Sequence, residues 1–346
     1  MNPVDFITVV KNAWQEYDNS RIILGITDIS AMVSTNHVYR IKFLDQSIII
    51  AKLSYFGKYE HFVEDHSIIN SLSNNLPSPF DNFLARSLIK KNELFVHHHK
   101  SEALNVWVVF YRPIKIKQKL PKRLEDFHIA KLAEQFALFH KACTKVRNTL
   151  PDSSKSTQSD IQDLLDYLET DDGHFEYGLV RKELEHHCHS YLKFYEESNT
   201  ADIPIIPVFV DWNIGNFSVT KSLKLYSRWD YDWFRMSTRM MDFYFFSRIV
   251  SDIGDRTVFT YNIDILQEER FILFLTRYHE VFPLTELEIR MLPEMYRFFL
   301  LNYTIKYGRY FFHEVYATKL KTEAFNIHLP SIASFNVDKL LKSLNL

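Results

Sequence analysis

Residues 207–232, PVFVDWNIGNFSVTKSLKLYSRWDYD, decide how the chain is read. They contain two short apolar runs, expected to be strands joined by a turn, with polar residues at fixed offsets. Asn216 follows Asp211 by five residues, Asp230 follows Asn216 by fourteen, and Asp232 stands two further on. A strand–loop–strand path can bring three such oxygen donors to one rim, where a hard cation and its polyphosphate would sit. The competing reading is a polar hairpin in which Asp211 and Asn216 bond turn amides. The Asp–Asn spacing alone does not choose, because a chain of this length holds about one such pair by chance. Position adds weight: the pair lies between the strand-like IIPVFV and FSV, and a second acidic pair arrives one hairpin later.

The 346 residues suffice for a sizeable core in about two lobes. Charged residues are 24%, hydrophobic residues 46% and the net charge is -2, so neither nucleic acid nor an anionic membrane is expected as partner. The two cysteines, Cys143 and Cys188, imply no disulfide framework, and a reducing cytoplasm is the expected compartment. MNPVDFITVVKNAW lacks the features of a signal peptide, and no run approaches the roughly 18 apolar residues of a membrane helix. Aromatics reach 15%, with 29 Phe against 7 Gly, which means bulky cores and few glycine-dependent loops.

Residues 3–17 are expected to form a helix with Phe6, Val9, Val10 and Trp14 on one face. Strands follow at Ile22 to Met32, at HVYRIKF, where Tyr39, Ile41 and Phe43 alternate with polar neighbours, and at SIIIAKLSYF, which carries Lys52. A helix from about Glu60 to Leu72 ends at the breaker NNLPSP. Strands near Leu94 and at Val106 to Tyr111 complete a five-strand, one-helix unit, with His97, His98 and His99 in a turn. Pro113 and the basic KIKQKLPKR mark a boundary, dividing residues 1–112 from residues 113–346. Beyond it the stripes are helical: Ile129, Leu132, Ala133, Phe136, Ala137 and His140; then Ile161, Leu164 and Leu168; then Leu184, His187, Cys188 and Tyr191. His186 to His189 are four metal-capable residues in a row, but on a helix they point about 100° apart, which disfavours a zinc site. No Walker loop, Gly-x-Ser-x-Gly elbow or Gly-x-Gly-x-x-Gly fingerprint occurs.

DWNIGN resembles the catalytic loop of the aminoglycoside phosphotransferase and choline kinase family, distant relatives of protein kinases. That family shows His-x-Asp, four further residues, then Asn. It also has an Asp opening a helix twelve residues after its metal-binding Asp, and here Asp242 follows Asp230 by twelve. Ala137-Leu138-Phe139-His140 is similar to the family's helix end before the loop, and STNHVYRIKF to its nucleotide loop and second strand. FLTRYHEVFPLTELEIRML looks most like the homoserine-kinase-type members. The order of these markers, from about residue 20 to 300, carries the resemblance.

The resemblance implies a bilobal, protein-kinase-like α+β fold: a small β-rich nucleotide-binding lobe over residues 1–112 and a larger, mainly helical catalytic lobe over residues 113–346. It implies transfer of the γ-phosphoryl group of ATP, with Mg2+, to a hydroxyl of a small molecule such as an amino alcohol, sugar, amino acid or aminoglycoside. Asp211 would accept or orient the hydroxyl proton. Asn216 and Asp230 would bind Mg2+, and Lys52 the α- and β-phosphates. Glu64, preferred over Asp65 for reach, would pair with Lys52. Ser34 and Asn36 belong to the phosphate-covering turn, and Phe110 and Tyr111, with Arg112, to the hinge that meets adenine. Asp232 is read as an acid beside the metal site or as a surface carboxylate. Asp242 is read as a helix N-cap bracing the loop, and His140 as a hydrogen-bonded core histidine.

Two positions depart from the family. Phe209 stands where its loop histidine would be, and the phosphate-covering turn, Val33-Ser34-Thr35-Asn36, has no glycine. Phe209 favours an alternative in which the chain binds nucleotide or a partner without turnover; intact Lys52, Asp211, Asn216 and Asp230 oppose it. A protein kinase is disfavoured, because no activation segment with an Ala-Pro-Glu-like end follows Asp230.

Overall fold

Alternation along HVYRIKF turns Tyr39, Ile41 and Phe43 to a buried face and Arg40 and Lys42 to solvent. The structure, a computed structural model, describes residues 5–31, 36–102, 104–252 and 260–346. The strands β1 (Ile23–Asp28), β2 (His37–Phe43) and β3 (Ile48–Ser54) form an antiparallel meander. Helix α1 (Phe6–Tyr17), capped by Asp5, packs Val9, Val10, Ala13 and Trp14 against the face bearing Tyr39, Ala51 and Leu53. Helix α2 (Tyr59–Asn75) takes the opposite face, where Ile68, Ile69 and Leu72 join Val109 and Tyr111 in the second core. Side chains alternate along a strand, so Lys52 points away from α1, to the side that α2 and the second lobe share.

The sheet continues through β6 (Val96–Lys100) and β7 (Asn105–Tyr111), in the order β1-β2-β3-β7-β6, and every neighbouring pair is antiparallel. The strand expected near Leu94 lies elsewhere. β4 (Ile89–Lys90) and β5 (Glu93–Leu94) form a separate two-residue ribbon, closed by Lys91 and Asn92 with φ of 53° and 68°. Two consecutive left-handed residues make the tight turn that suits a hairpin. The fourth strand of the sheet instead runs through the three histidines: His97 meets Glu16 at 2.6 Å, and His98 stacks on Tyr59.

The rest is mainly helical. Its spine is α3 (Asp126–Val146), whose stripe Ile129, Leu132, Ala133, Phe136, Ala137 and His140 is fully buried. The helices α4 (Thr157–Leu168), α5 (Asp171–Tyr177) and α6 (Arg181–Glu197) follow, and a Ser156–Ser159 capping box starts α4. After the central ribbons come α7 (Phe243–Val250), α8 (Glu269–Val281), which packs along α3, and α9 (Glu286–Phe299). Residues 300–306 then form a π-helical turn. Among the described residues no helix is long and apolar enough to cross a membrane.

The central stretch is two ribbons rather than one hairpin. β8 (Ile205–Val208) pairs with β11 (Arg235–Thr238), and β9 (Phe217–Val219) pairs with β10 (Leu225–Arg228). The apolar runs before and after Asp211 are therefore not partners of each other. A left-handed residue at Val210 and a 3-10 turn at Ile214–Asn216 redirect the chain between them. This leaves Asp211 and Asn216 in a loop between two short sheets.

Candidate active site

The loop is built from a strained backbone upward. Val210 has φ of 59°, an uncommon conformation for a β-branched residue. Asp242, wholly buried, holds it there: Oδ1 accepts from the amides of Phe209 at 3.0 Å and Val210 at 2.7 Å. Its Oδ2 lies 3.0 Å from His140 Nε2, and His140 Nδ1 lies 2.7 Å from the Tyr278 hydroxyl. Asp242 thus braces the loop directly, while its side chain makes no cap bond to the helix it precedes.

Asp211 Oδ2 accepts from Asn216 Nδ2 at 2.9 Å, and Asp211 Oδ1 from the amide of Asn213 at 3.3 Å. With its amide hydrogens on Asp211, Asn216 has its amide oxygen to offer a cation. Trp229 donates its amide to the Asn216 carbonyl at 3.0 Å, which fastens the loop to the segment carrying Asp230. Asp230 takes φ of 68°, which aspartate tolerates better than most residues.

Lys52 reaches this segment from the sheet. Its ammonium lies 2.8 Å from Asp230 Oδ1 and 2.5 Å from Asp232 Oδ1. Burial would push the pKa of Lys52 down, but the two carboxylates outweigh it and hold the lysine above its ordinary value. Burial also acts on Asp230 in the upward direction, and Lys52 overrides it, leaving this carboxyl below the usual range. For Asp232 burial wins, with the like charge of Asp230 added, and its pKa is raised to about 7. Asp232 is therefore no surface carboxylate; Asn36 Nδ2 also donates to it.

The expected partnership of Lys52 with α2 is not formed. Phe62, His66 and Ile69 turn towards the sheet, and the register of α2 rotates Glu64 and Asp65 away from Lys52. Glu64 Oε1 accepts from Ser153 Oγ at 2.8 Å and the amide of Ser154 at 2.9 Å, and Asp65 Oδ2 pairs with Lys155 at 2.5 Å. Burial, first, raises the pKa of Asp65 to about 6 against the pull of Lys155. Facing the sheet instead is His66, on the wall of a smaller cavity: its Nδ1 donates to the Phe62 carbonyl at 2.9 Å, and its Nε2 accepts from the Tyr111 hydroxyl at 2.5 Å. The apolar spacing of Phe62, His66 and Ile69 was the signal for this pairing in the sequence.

A cleft of ≈ 680 Å³ opens between the lobes, with Val38, Ile50, Ile114 and Trp229 among its apolar walls and Lys52, Asn216 and Asp230 at its polar end. Asn36 and Tyr111 also line it. Phe110 does not: its ring is fully buried in the α1-side core, and its carbonyl accepts from the amide of Leu88 at 2.7 Å. β7 stays paired through Tyr111, and Arg112, Pro113 and Ile114 continue the cleft wall beyond it. Ser34 lies outside the described residues. Across Tyr231 a second, smaller cavity of ≈ 110 Å³ is lined by Asp65, Lys155, Asp160, Asp232, Arg235 and Asn302.

The donor set at the polar end is all oxygen, which suits a hard cation such as Mg2+. Among the described residues there is no group of three or more His, Cys, Asp or Glu able to hold a metal. Two protein ligands are what Mg2+ uses when phosphate and water complete its shell. His187 Nδ1 meets the Arg297 guanidinium.

A five-stranded antiparallel sheet above a mainly helical body, with Lys52, Asp230, Asn216 and Asp211 linked along the seam, is a kinase-like α+β fold. Solved structures with this fold include amicoumacin kinase hAmiN in complex with AMP-PNP, Ca2+ and Ami, at 12% identity over 97% of each chain and a TM-score of 0.62. They include choline kinase LicA from Streptococcus pneumoniae, at 12% identity over 95% of this chain and 99% of that one, TM-score 0.54. The microcompartment-associated aminopropanol kinase is similar at 15% identity over 98% and 99%, TM-score 0.54. The family resemblance in the sequence is thus matched in three dimensions, where the chain has the fold of small-molecule kinases. No family model and no curated protein matches the sequence.

Proposed function

We propose that the chain is an ATP- and Mg2+-dependent phosphotransferase that moves the γ-phosphoryl group to a hydroxyl of a small molecule: an amino alcohol, sugar, amino acid or aminoglycoside-like compound. One observation carries the reading. Lys52 is ion-paired with Asp230 and Asn216 is bonded to Asp211, and the two pairs are joined through the Trp229 amide and the Asn216 carbonyl at one end of the cleft. In this reading residues 1–112 bind nucleotide, residues 113–346 bind acceptor, and the protein works in the cytoplasm without nucleic acid or membrane.

Lys52 would exchange its two carboxylates for the α- and β-phosphates. Asn216 and Asp230 would hold Mg2+, which neutralises charge as it develops on the phosphates. Asp211, aimed by the amide of Asn216, would orient the attacking hydroxyl and take its proton. AMP-PNP and Ca2+ in the hAmiN complex, and AMP in a complex of LicA, support a nucleotide in this cleft.

The test joins calorimetry of ATP with and without Mg2+ to ADP release across amino alcohols, sugars, amino acids and aminoglycosides. Wild type should bind nucleotide in a metal-dependent way, and one class of acceptor should stimulate turnover. Asp211→Asn should lose about a thousandfold in turnover and keep ATP–Mg2+ affinity within a few-fold. Absence of metal-dependent binding would overturn the reading; binding without turnover on any acceptor would assign a binding role instead.

A further inference from the structure

Phe209 has no polar atom in its side chain, yet the loop it opens is held on both sides. Asp242 grips the amides of residues 209 and 210 from one side. From the other comes Arg228, whose guanidinium Nη2 donates to the Asp211 carbonyl at 3.0 Å. Its guanidinium carbon lies 4.1 Å from the ring centre of Trp212 and 4.7 Å from that of Phe209, the residues flanking Asp211. The side chain is fully buried, and Nε and Nη1 have no hydrogen-bond partner. No carboxylate lies within ion-pair distance of it among the described residues, and burial lowers its pKa although the charges of Asp211, Asp242 and Asp230 oppose this from further off. The backbone of Arg228 is fixed independently: its amide donates to the Phe83 carbonyl at 2.7 Å, and its carbonyl accepts from the amide of Ala85 at 2.9 Å.

A buried guanidinium with no carboxylate in contact is costly even with three carboxylates acting from a distance, and an apolar side chain between two rings would fill the same space without that cost. What the guanidinium alone provides is a rigid planar donor on the Asp211 main chain, cradled on two aromatic faces. We propose that Arg228 is a positioning residue that replaces the missing loop histidine: Phe209 supplies a ring for the cation to rest on, and the cation supplies the polar brace. The left-handed turn at Val210 is then clamped at its amides by Asp242 and at the following carbonyl by Arg228. This assignment rests on the phosphotransferase reading for its catalytic consequence, and on the geometry alone for its effect on the loop.

Arg228→Met separates the two. It fills the same slot without charge, so the fold and a Tm at or above wild type are expected. Amides of residues 211–213 should exchange with deuterium about tenfold faster or more, because the loop loses one of its two clamps. Release of phosphate from Mg2+–ATP, with water as acceptor, should fall about a hundredfold while the KM for ATP stays within about threefold, as misplacing a catalytic group does. Phe209→His combined with Arg228→Met should restore slow exchange and at least a tenth of the turnover. Arg228→Gln, which keeps one donor, serves if the methionine variant does not fold, and should show the same changes in smaller measure. Unaltered exchange and turnover in a folded Arg228 variant would overturn the proposal, and so would failure of histidine to rescue either one. A wild type that never turns over would remove the phosphotransferase reading, and loop exchange would then decide the role of Arg228 by itself.

Discussion

His66 is a neutral imidazole at the point where α2 meets β7. Only 3% of it is exposed, and burial, first, pushes its pKa down to about 3, with the nearby charges of Lys52 and Lys155 acting the same way and the Phe62 carbonyl opposing. The unfolded chain takes up a proton near pH 6.5 and the folded chain does not, so stability present above pH 6.5 is lost as the pH falls towards 3. The slope is about 1.4 kcal/mol per pH unit for one proton. His66→Gln removes that proton and weakens the bond to Tyr111, so it should be about 1 kcal/mol less stable than wild type at pH 7. At pH 4.5 wild type should have lost about 2.5 kcal/mol more than the variant from this group, enough to reverse the order. Urea denaturation at the two pH values measures both, and a parallel loss in the two proteins would show that His66 titrates normally.

At the scale of elements, the loop between β8 and β9 depends on one carboxylate for two amides. A left-handed β-branched residue costs about 1–2 kcal/mol, and an unsatisfied buried amide about 1–3 kcal/mol. Asp242→Ala would leave the amides of Phe209 and Val210 and the imidazole of His140 without their acceptor, and should cost about 3 kcal/mol or more. Asp242→Asn keeps one acceptor oxygen and should cost about half as much; equal losses in the two variants would mean that the amides do not depend on Asp242. The place of Asp242 beside the loop was legible through the family resemblance, as was the two-lobed layout, and Lys52 and Asn216 do line one cleft. Strand partners were not legible, because runs of three or four residues such as FSV and IIPV specify which face is buried but not which strand lies alongside. The orientation of α2 escaped for a related reason: Glu64, Asp65 and His66 are adjacent, one residue is about 100° of rotation, and the groups that receive Glu64 and Asp65 lie in a loop without periodicity. Arg228 left no signal, since a lone arginine in LYSR reads as an exposed strand residue.

At the scale of the whole molecule, polar contacts join the lobes at two places: Glu64 and Asp65 of α2 meet residues 153–155, and the segment 228–232 meets the sheet lobe. Asp230 and Asp232 receive Lys52 and Asn36 from the sheet lobe, and the Tyr231 hydroxyl between them donates to the Ala85 carbonyl at 3.1 Å. Two carboxylates crowd one ammonium at the polar end of the cleft, and a bound Mg2+ would offset their charge. A ligand that binds only the folded form stabilises it by about 2.7 kcal/mol at one hundred times its Kd, which for a chain of this size is a rise of about 4 °C in Tm. ATP with Mg2+ should therefore raise the Tm of wild type by about that amount, and ATP with chelator by clearly less. Asp230→Asn removes a metal ligand and also relieves the crowding of Asp232 by a like charge, so its Tm without ligand should stay near or above wild type while the difference between Mg2+ and chelator disappears. Thermal scans of both proteins in the three conditions decide it. A metal-dependent rise that survives in Asp230→Asn would place the cation elsewhere, and a fall in the ligand-free Tm would show that Lys52 needs both carboxylates to hold the lobes together.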